Sequence, residues 1–233
     1  MNDKAADEFQ ELVIKNTAAT MYTAGADTVV AALATFILAM VCFPEVQAKA
    51  QAELDAVLGA ETLPTFDDES SLPYLTAVVK ECLRWEVTMP FAIPHTLTED
   101  DEYRGYHFKK GSLVIPNSWA VLNDKAVYPE PSKFKPERFL KDGELDPTVQ
   151  DPELAAFGYG RRICPGRQMA RSTVWLTAGS ILAVFNINKA VDEKGTPVEP
   201  SGAYISAILR HPEPFQCQIA PRSKATEEVV REL

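Results

Sequence analysis

The feature that most limits how this chain can fold is a proline-free stretch near its start, residues 3–42. It consists mainly of good helix formers, and its second half (VVAALATFILAMVCF, 29–43) is almost entirely apolar. A helix that is apolar on all sides must be buried on most of them. The sequence therefore predicts one long helix whose second half lies in the core. Pro44 ends it, because a proline excludes the preceding residue from the α region.

The same apolar run is the most membrane-like segment. It is about 15 residues long, whereas a bilayer-spanning helix needs about 20, and Asp27 lies just before it. We interpret it as a core helix, although a membrane-associated helical interaction protein using this run is an alternative. The N-terminus lacks the apolar region of a signal peptide, so we expect neither a signal nor an anchor in this chain.

The rest of the chain reads as more helices with segregated short strands. We expect loop 61–71 to end in Ser and Asp caps for the third helix. Helices and strands do not alternate along the chain as they do in a doubly wound α/β fold. The prediction is a mainly α protein with small antiparallel β-sheets, folded as a single domain over residues 1–233. The predicted segments are helices 44–59, 72–87 and 165–185, a small sheet in 91–118, an irregular proline-rich stretch 128–153 and a final hairpin in 198–222.

Charge and cysteine content exclude some classes of function. The chain has 23 Lys and Arg against 33 Asp and Glu, a net charge of −10, which argues against nucleic acid as its main partner. Four cysteines lie far apart without C-x-x-C spacing, which fits a reduced compartment rather than a disulfide framework.

The densest basic patch surrounds Cys164 in the segment FGYGRRICPGRQMA, residues 157–170. Cys164 precedes Pro165, a favoured first residue of helices, so the helix N-terminus and nearby arginines favour a thiolate. A thiolate is either a nucleophile, which needs a histidine base, or a metal ligand. No histidine is near it in sequence, although the fold could bring one close. Glycines around a lone cysteine let the backbone lie close to a flat group, which suits one axial bond from the cysteine to the iron of a planar cofactor. The alternative is a structural cysteine before a capped helix.

This segment resembles the haem-binding signature F-x-x-G-x-R-x-C-x-G of the cytochrome P450 family at every fixed position. The resemblance implies haem b whose iron takes the Cys164 thiolate as axial ligand. The matching residues are Phe157, Gly160, Arg162, Cys164 and Gly166.

A second match involves Glu81 and Arg84, which the i, i+3 spacing places on one helical face. Such a pair is ordinarily a solvated surface pair, but its apolar surroundings here predict a buried, satisfied one. It is similar to the family's E-x-x-R motif, which an arginine from a later proline-rich stretch completes. In this chain that arginine is Arg138 in PERF, and the resemblance implies a network that stabilises the fold, with no catalytic role.

A third match lies within the long helix, in AGADTV at 24–29. Gly25 costs about 1 kcal/mol relative to alanine in a helix interior, and Thr28 can donate to the carbonyl of Ala24. A crossing point between helices is one explanation. The family's oxygen-activation motif is similar, which implies that Gly25 makes room for dioxygen, Thr28 hydrogen-bonds it and Asp27 helps to relay protons. Val29 replaces the usual second hydroxyl residue, which would slow or reroute proton delivery.

Further positions follow from the resemblance alone. His95 corresponds to a residue that binds a haem propionate, as does Arg162, and both can make charge-assisted bonds to carboxylates. Residues 87–94 resemble the loop that passes over the haem, and residues 201–205 resemble the terminal turn that faces the substrate pocket. Both segments are apolar, which suits an apolar organic substrate.

The family resemblance implies a haem-thiolate monooxygenase acting on a small organic molecule, with dioxygen and with NADPH electrons delivered by a reductase. It covers the C-terminal part of the family's fold, roughly half. The style of the sheet segment resembles eukaryotic microsomal members, notably fungal ones, with a role in secondary metabolism. We therefore expect the full-length parent on the cytosolic face of the endoplasmic reticulum membrane, attached through an N-terminal part that this chain lacks. The alternative is a truncated, non-catalytic fragment that binds haem weakly or not at all.

Overall fold

The computed structural model describes residues 3–205 and 207–232. Helix α1 runs Asp3–Cys42 and helix α2 runs Pro44–Leu58, separated by the non-helical Phe43 (φ −127°, ψ 68°). The predicted break before Pro44 is confirmed. Residues 7–27 of α1 are exposed, whereas most residues of 31–41 are buried, so the predicted burial of its second half is also correct.

Helix α3, Pro73–Trp85, follows a 3₁₀ helix, Phe66–Ser71. The expected Ser and Asp caps for α3 are wrong, because Leu72 occupies the N-cap position and makes no side-chain bond. The first turn of α3 is satisfied instead by Glu53 of α2, which accepts hydrogen bonds from the backbone N–H of Tyr74 (2.7 Å) and Leu75 (2.9 Å). Free N–H groups at a helix start need such partners.

In the part of the chain that the structure describes, four antiparallel sheets form, each of two strands, which confirms the predicted small sheets. Two lie in the segment after α3. The third is a tight hairpin within the proline-rich stretch 128–153, so the expectation that this stretch is irregular is only partly correct. Helix α4, Ser118–Leu122, and a 3₁₀ helix, Pro136–Phe139, separate them. The strands are β1 (His95–Thr96) paired with β4 (Leu113–Val114), β2 (Asp101–Tyr103) with β3 (Tyr106–Phe108), and β5 (Leu140–Lys141) with β6 (Glu144–Leu145).

The last part of the chain departs from its predicted bounds. Helix α5, Glu153–Ala156, is followed by helix α6, Arg167–Val184. Strand β7, Phe185–Lys189, continues directly from α6 and pairs with β8, Cys217–Pro221, so β8 finds its partner outside the segment predicted as the final hairpin. A short helix, α7 (Lys224–Glu232), ends the described chain and was not predicted.

The main core joins the second half of α1 to α2, α3, α6 and β7. Gly179 of α6 shows how closely these helices pack, because a Cβ there would lie 2.9 Å from Leu75 Cδ2 and 2.9 Å from Pro64 Cγ. The fully buried members of this core include Phe36, Met40, Leu54, Leu75, Trp175, Leu182 and Ile187.

Helix α1 is also long and apolar enough to cross a membrane by length and composition, with a mean hydropathy of 2.0 in its most apolar stretch. Of that stretch, 44% is buried within the protein, where α1 packs against α2, α3 and α6. Core helices of soluble proteins share these properties, and this packing supports our interpretation of 29–43 as a core segment.

Candidate functional site

The segment around Cys164 forms a tight loop between α5 and α6. The backbone N–H of Cys164 donates to the carbonyl of Phe157 at 2.8 Å, which closes the loop. Gly158 and Gly160 have positive φ values of 80° and 58°, a region that glycine adopts without strain. The sequence order Phe-x-x-Gly thus has a local structural reason.

The start of α6 corrects one prediction. The helix begins at Arg167 with Gly166 as its N-cap, not at Pro165. A turn precedes it, in which the N–H of Arg167 donates to the carbonyl of Cys164 at 3.4 Å. Cys164 therefore lies just outside the helix N-terminus, separated from the first helical residue by Pro165 and Gly166.

The Cys164 side chain is free and half-buried. A Cβ added at Gly166 would lie 3.9 Å from its sulfur, so glycine keeps that side of the sulfur clear of side-chain atoms. Arg162 is exposed, and in the described ranges neither it nor Arg161 makes a side-chain hydrogen bond or ion pair. An accessible sulfur donor with glycine beside it and uncommitted arginines nearby fits a planar, anionic, iron-containing group.

The other three cysteines are poor candidates for a thiolate ligand. Burial raises the pKa of the Cys82 thiol strongly, and it raises the pKa of Cys42 and of Cys217 as well. Each of these side chains therefore favours the neutral thiol at neutral pH.

Hydrogen bonds from Ser118 of α4 hold the cysteine loop and the helix before it against the rest of the protein. Ser118 of α4 is fully buried; its hydroxyl donates to the carbonyl of Ala155 at 2.9 Å and lies 3.2 Å from the hydroxyl of Tyr159. Tyr159 in turn packs against a small core cluster that includes Ala77 and Phe139. No local sequence pattern marks Ser118, because its partners lie on a segment some forty residues later.

The motif of α1 has the local geometry that its sequence predicts. The Thr28 hydroxyl donates to the carbonyl of Ala24 at 2.8 Å. A Cβ built at Gly25 would meet no atom within 4 Å among the described residues, so no other helix of this part of the protein packs against Gly25. Asp27 has a side chain that is 58% exposed, and its carboxylate lies 3.4 Å from Nε2 of His211. Nothing in the sequence pattern indicates this histidine.

Glu81, Arg84 and Arg138 are in direct contact. Arg84 donates from Nε and Nη2 to the two Glu81 oxygens, both at 2.8 Å, and Arg138 Nε lies 3.1 Å from each of them. The backbone N–H of Lys135 adds a further bond to Glu81 at 2.8 Å. Across the described residues, no buried side-chain nitrogen or oxygen lacks a hydrogen-bond partner. Such complete pairing is what a buried ion network requires.

The remaining predicted positions lie on β1, on the segment before it and on the terminal loop. His95 is half-buried in β1, opposite Val114 of β4. In the segment before it, Phe91 and Ile93 are exposed. The terminal loop, described at residues 203–205 and 207–213, contacts both α1 and the segment before His95. Tyr204 donates to the Thr35 hydroxyl of α1 at 3.1 Å, and the Arg210 N–H donates to the Thr88 carbonyl at 2.8 Å.

The structure thus forms two groups from the predicted residues. The arginine–glutamate network joins α3 to the 3₁₀ helix Pro136–Phe139, and the α1 motif lies beside the terminal loop. The cysteine loop leads into α6, which packs directly on α1 through the main core. No direct bond between Thr28 and the cysteine loop is present among the described residues, and none is required if a group lies between them.

Comparisons with known proteins decide the family. The cytochrome P450 family model matches residues 1–219. The chain belongs to the cytochrome P450 family. Tryptamine 4-monooxygenase of Psilocybe cyanescens is 53% identical over 97% of this chain, and cytochrome P450 monooxygenase 98 of Postia placenta is 51% identical over 96%. Cytochrome P450 monooxygenase claR of Ampulloclitocybe clavipes is 48% identical over 99%.

These fungal P450 relatives confirm the predicted family and its fungal affinity. The chain spans less than half the length of each of them, 44% of the first two and 43% of the third. The predicted mainly α fold with small antiparallel sheets, as the C-terminal part of a P450 fold, agrees with the family match and with the structure.

Proposed function

We propose that this chain is the haem-thiolate part of a P450 monooxygenase that inserts one atom of dioxygen into an organic, apolar substrate. The other oxygen atom leaves as water, and the two electrons come from NADPH through a reductase. The single observation that carries the proposal is the cysteine loop, in which a free, half-buried Cys164 is flanked by Gly166 and closed onto Phe157.

The residues that would hold haem b have complementary roles. Cys164 would provide the thiolate ligand, and Phe157, Gly160 and Gly166 would shape the loop around it. Arg162 and His95 would bind the propionates as charge-assisted partners. When bound, haem supplies the iron that activates dioxygen, and a thiolate ligand favours O–O cleavage.

Residues of α1 would manage protons. Gly25 leaves space beside the helix, Thr28 offers a hydroxyl whose own proton is held by the Ala24 carbonyl, and Asp27 is exposed enough to exchange protons with solvent. The apolar side chains Phe91, Ile93 and Ile205 are exposed on the two segments assigned to the substrate side. We place the protein on the cytosolic face of the endoplasmic reticulum membrane as part of the same proposal.

A second candidate has its own supporting observation. Residues 7–27 of α1 are exposed and include Phe9, Leu12, Ile14, Met21 and Tyr22, which is a large apolar surface for a soluble protein. Such a surface favours association or aggregation, which supports the alternative of a truncated, non-catalytic fragment that binds haem weakly or not at all.

One spectroscopic experiment tests both candidates. We compare residues 1–233 with a chimera that places the N-terminal part of tryptamine 4-monooxygenase before them, each supplied with haem. The proposal expects the red-shifted carbon monoxide difference band of a thiolate-ligated haem in the chimera, and its loss in Cys164→Ser. Cys217→Ser serves as the matched control and should keep the band. A band that survives Cys164→Ser contradicts the proposal, and a stable band in residues 1–233 alone contradicts the second candidate.

A further inference from the structure

The acidic residue of the α1 motif has a partner from the opposite end of the chain. Nε2 of His211 lies 3.4 Å from Oδ1 of Asp27, and the two side chains are 27% and 58% exposed. Exposed ion pairs contribute little to stability when both side chains must be ordered for the pair to form. The significance of this pair therefore depends on how firmly the surrounding structure holds His211.

The terminal loop closes on itself through its backbone. The N–H of Ile205 donates to the carbonyl of His211 at 2.9 Å, and the N–H of Glu213 donates to the carbonyl of Ala203 at 2.8 Å. Tyr204 pairs with Pro212 as an isolated antiparallel bridge. His211 thus sits on the second arm of a hairpin whose backbone position is fixed.

Side chains then fix this hairpin to its surroundings. Tyr204 bonds to Thr35 of α1, and Arg210 pairs with Glu86 after α3 while its guanidinium lies 4.8 Å from the centre of the Tyr204 ring. Thr35 lies eight residues after Asp27 on α1, about 12 Å along the helix axis. The loop therefore contacts α1 at two separate points, through Tyr204 at Thr35 and through His211 at Asp27, while Arg210 pairs with Glu86.

We propose that His211 is a positioning residue for Asp27. Its imidazole holds the Asp27 carboxylate in one place beside Thr28, and it connects the terminal loop to the segment of α1 that we assign to proton delivery. This inference depends on the proposed function for the role of Asp27, but the contact itself can be tested separately.

The first test measures amide hydrogen exchange by mass spectrometry on the 233-residue chain. His211→Ala should speed exchange in peptides covering residues 203–213 about two- to fivefold, the effect expected from losing one partly exposed pair. Asp27→Asn should produce a similar increase, and the double variant should exceed neither single variant. His211→Gln should restore slow exchange, since its side-chain amide can donate to the same carboxylate.

His107→Ala is the matched control, because it removes a comparable histidine–aspartate pair, with Nε2 3.6 Å from Oδ2 of Asp100. It should leave exchange in 203–213 unchanged. Exchange in α3 and α6 should be the same in every variant, which shows that the fold is intact. Unchanged exchange in His211→Ala, or additive effects in the double variant, would overturn the positioning contact.

The second test separates this inference from the proposed function. In the haem-loaded chimera, with tryptamine as the probe, the hydrogen peroxide released per NADPH oxidised reports mistimed proton delivery. Thr28→Ala and His211→Ala should both raise this ratio, and His211→Gln should return it towards the parent value. If Thr28→Ala leaves the ratio unchanged, the proposed function fails, and the exchange experiment alone decides the contact. If Thr28→Ala raises it and His211→Ala does not, the positioning role fails.

Discussion

Arg138 places its Nε at equal distance, 3.1 Å, from the two carboxylate oxygens of Glu81, although the residues lie on separate elements. Its Nη1 and Nη2 groups reach the backbone carbonyls of Pro129 (2.7 Å) and Lys133 (3.2 Å). The proline-rich stretch is thereby fixed to α3 by one side chain. Glu81 is fully buried and Arg138 nearly so, with 7% of its side chain exposed.

Replacing Arg138 with alanine should destabilise the chain by about 3–5 kcal/mol, because it removes one partner from a buried, hydrogen-bonded charge network. Urea unfolding followed by circular dichroism would measure the change. Arg231→Ala is the control, since Arg231 makes an exposed pair with Glu227, and its effect should stay within about 0.5 kcal/mol. Equal effects of the two substitutions would show that the Arg138 network contributes no more than a surface pair.

Local rules predicted those features that depend on residues close in sequence. The break before Pro44, the Thr28 bond to Ala24 and the shared face of Glu81 and Arg84 each follow from helix geometry over at most four residues. Arg138 could be assigned to the network only through the family resemblance, because no local pattern links it to α3.

Contacts between distant segments could not be predicted. The pairing of β7 with β8 and the approach of His211 to Asp27 depend on how the last third of the chain returns over α1. The start of α6 was missed for a different reason: the turn at Cys164 takes up Pro165 before the helix begins, overriding the usual preference for proline in the first helical turn.

Replacement by alanine should change the stability of the protein differently at two glycines, Gly179 within α6 and Gly166 at the N-cap of α6. Gly179→Ala should destabilise the protein by about 1–3 kcal/mol, because its Cβ would lie 2.9 Å from side chains of Leu75 and Pro64. Gly166→Ala should cost less, about 0.5–1 kcal/mol, because alanine is a poorer N-cap than glycine, while φ is −86° and the nearest contact, the Cys164 sulfur at 3.9 Å, is ordinary. The same urea experiment compares them.

Gly166→Ala should nevertheless lower haem retention in the chimera, because the added methyl group occupies space beside the proposed ligand. The haem-to-protein absorbance ratio after gel filtration measures retention. Gly195→Ala is the comparison: its φ of 80° strains an alanine, and it lies far from the cysteine loop in sequence, so it shows what a loss of stability alone does to retention. Full retention in Gly166→Ala would contradict the role given to that glycine.

Cysteine reactivity should distinguish Cys164 from Cys82. Cys82 is fully buried and burial raises the pKa of its thiol, so at pH 8 it remains protonated and unreactive. Cys164 is half-buried and should react with iodoacetamide about tenfold faster or more, as followed by peptide mass spectrometry. Haem loading of the chimera should protect Cys164 from the reagent while leaving labelling of Cys217 unchanged. Rapid labelling of Cys82 in the folded chain would contradict the described burial.

Thr65 and Asp68 form a capping box at the start of the 3₁₀ helix Phe66–Ser71, and it predicts how local stability depends on pH. Asp68 accepts hydrogen bonds from the backbone N–H and the hydroxyl of Thr65, both at 2.8 Å, and these bonds lower the pKa of its carboxyl group. A lowered pKa in the folded state means that this stabilisation is present above the unfolded-state pKa and is lost as the pH falls through the folded-state pKa.

The Asp68 carboxyl carbon should therefore titrate below the ordinary aspartate range in an NMR pH series. Thr65→Ala removes the hydroxyl bond and keeps the backbone bond, so the pKa of Asp68 should rise part of the way back. Asp146, whose pKa Thr148 lowers through the same two kinds of bond, is the internal control and should not respond to Thr65→Ala. An Asp68 pKa at or above the ordinary range in the parent chain would rule out the capping box as the element that orders the 3₁₀ helix Phe66–Ser71.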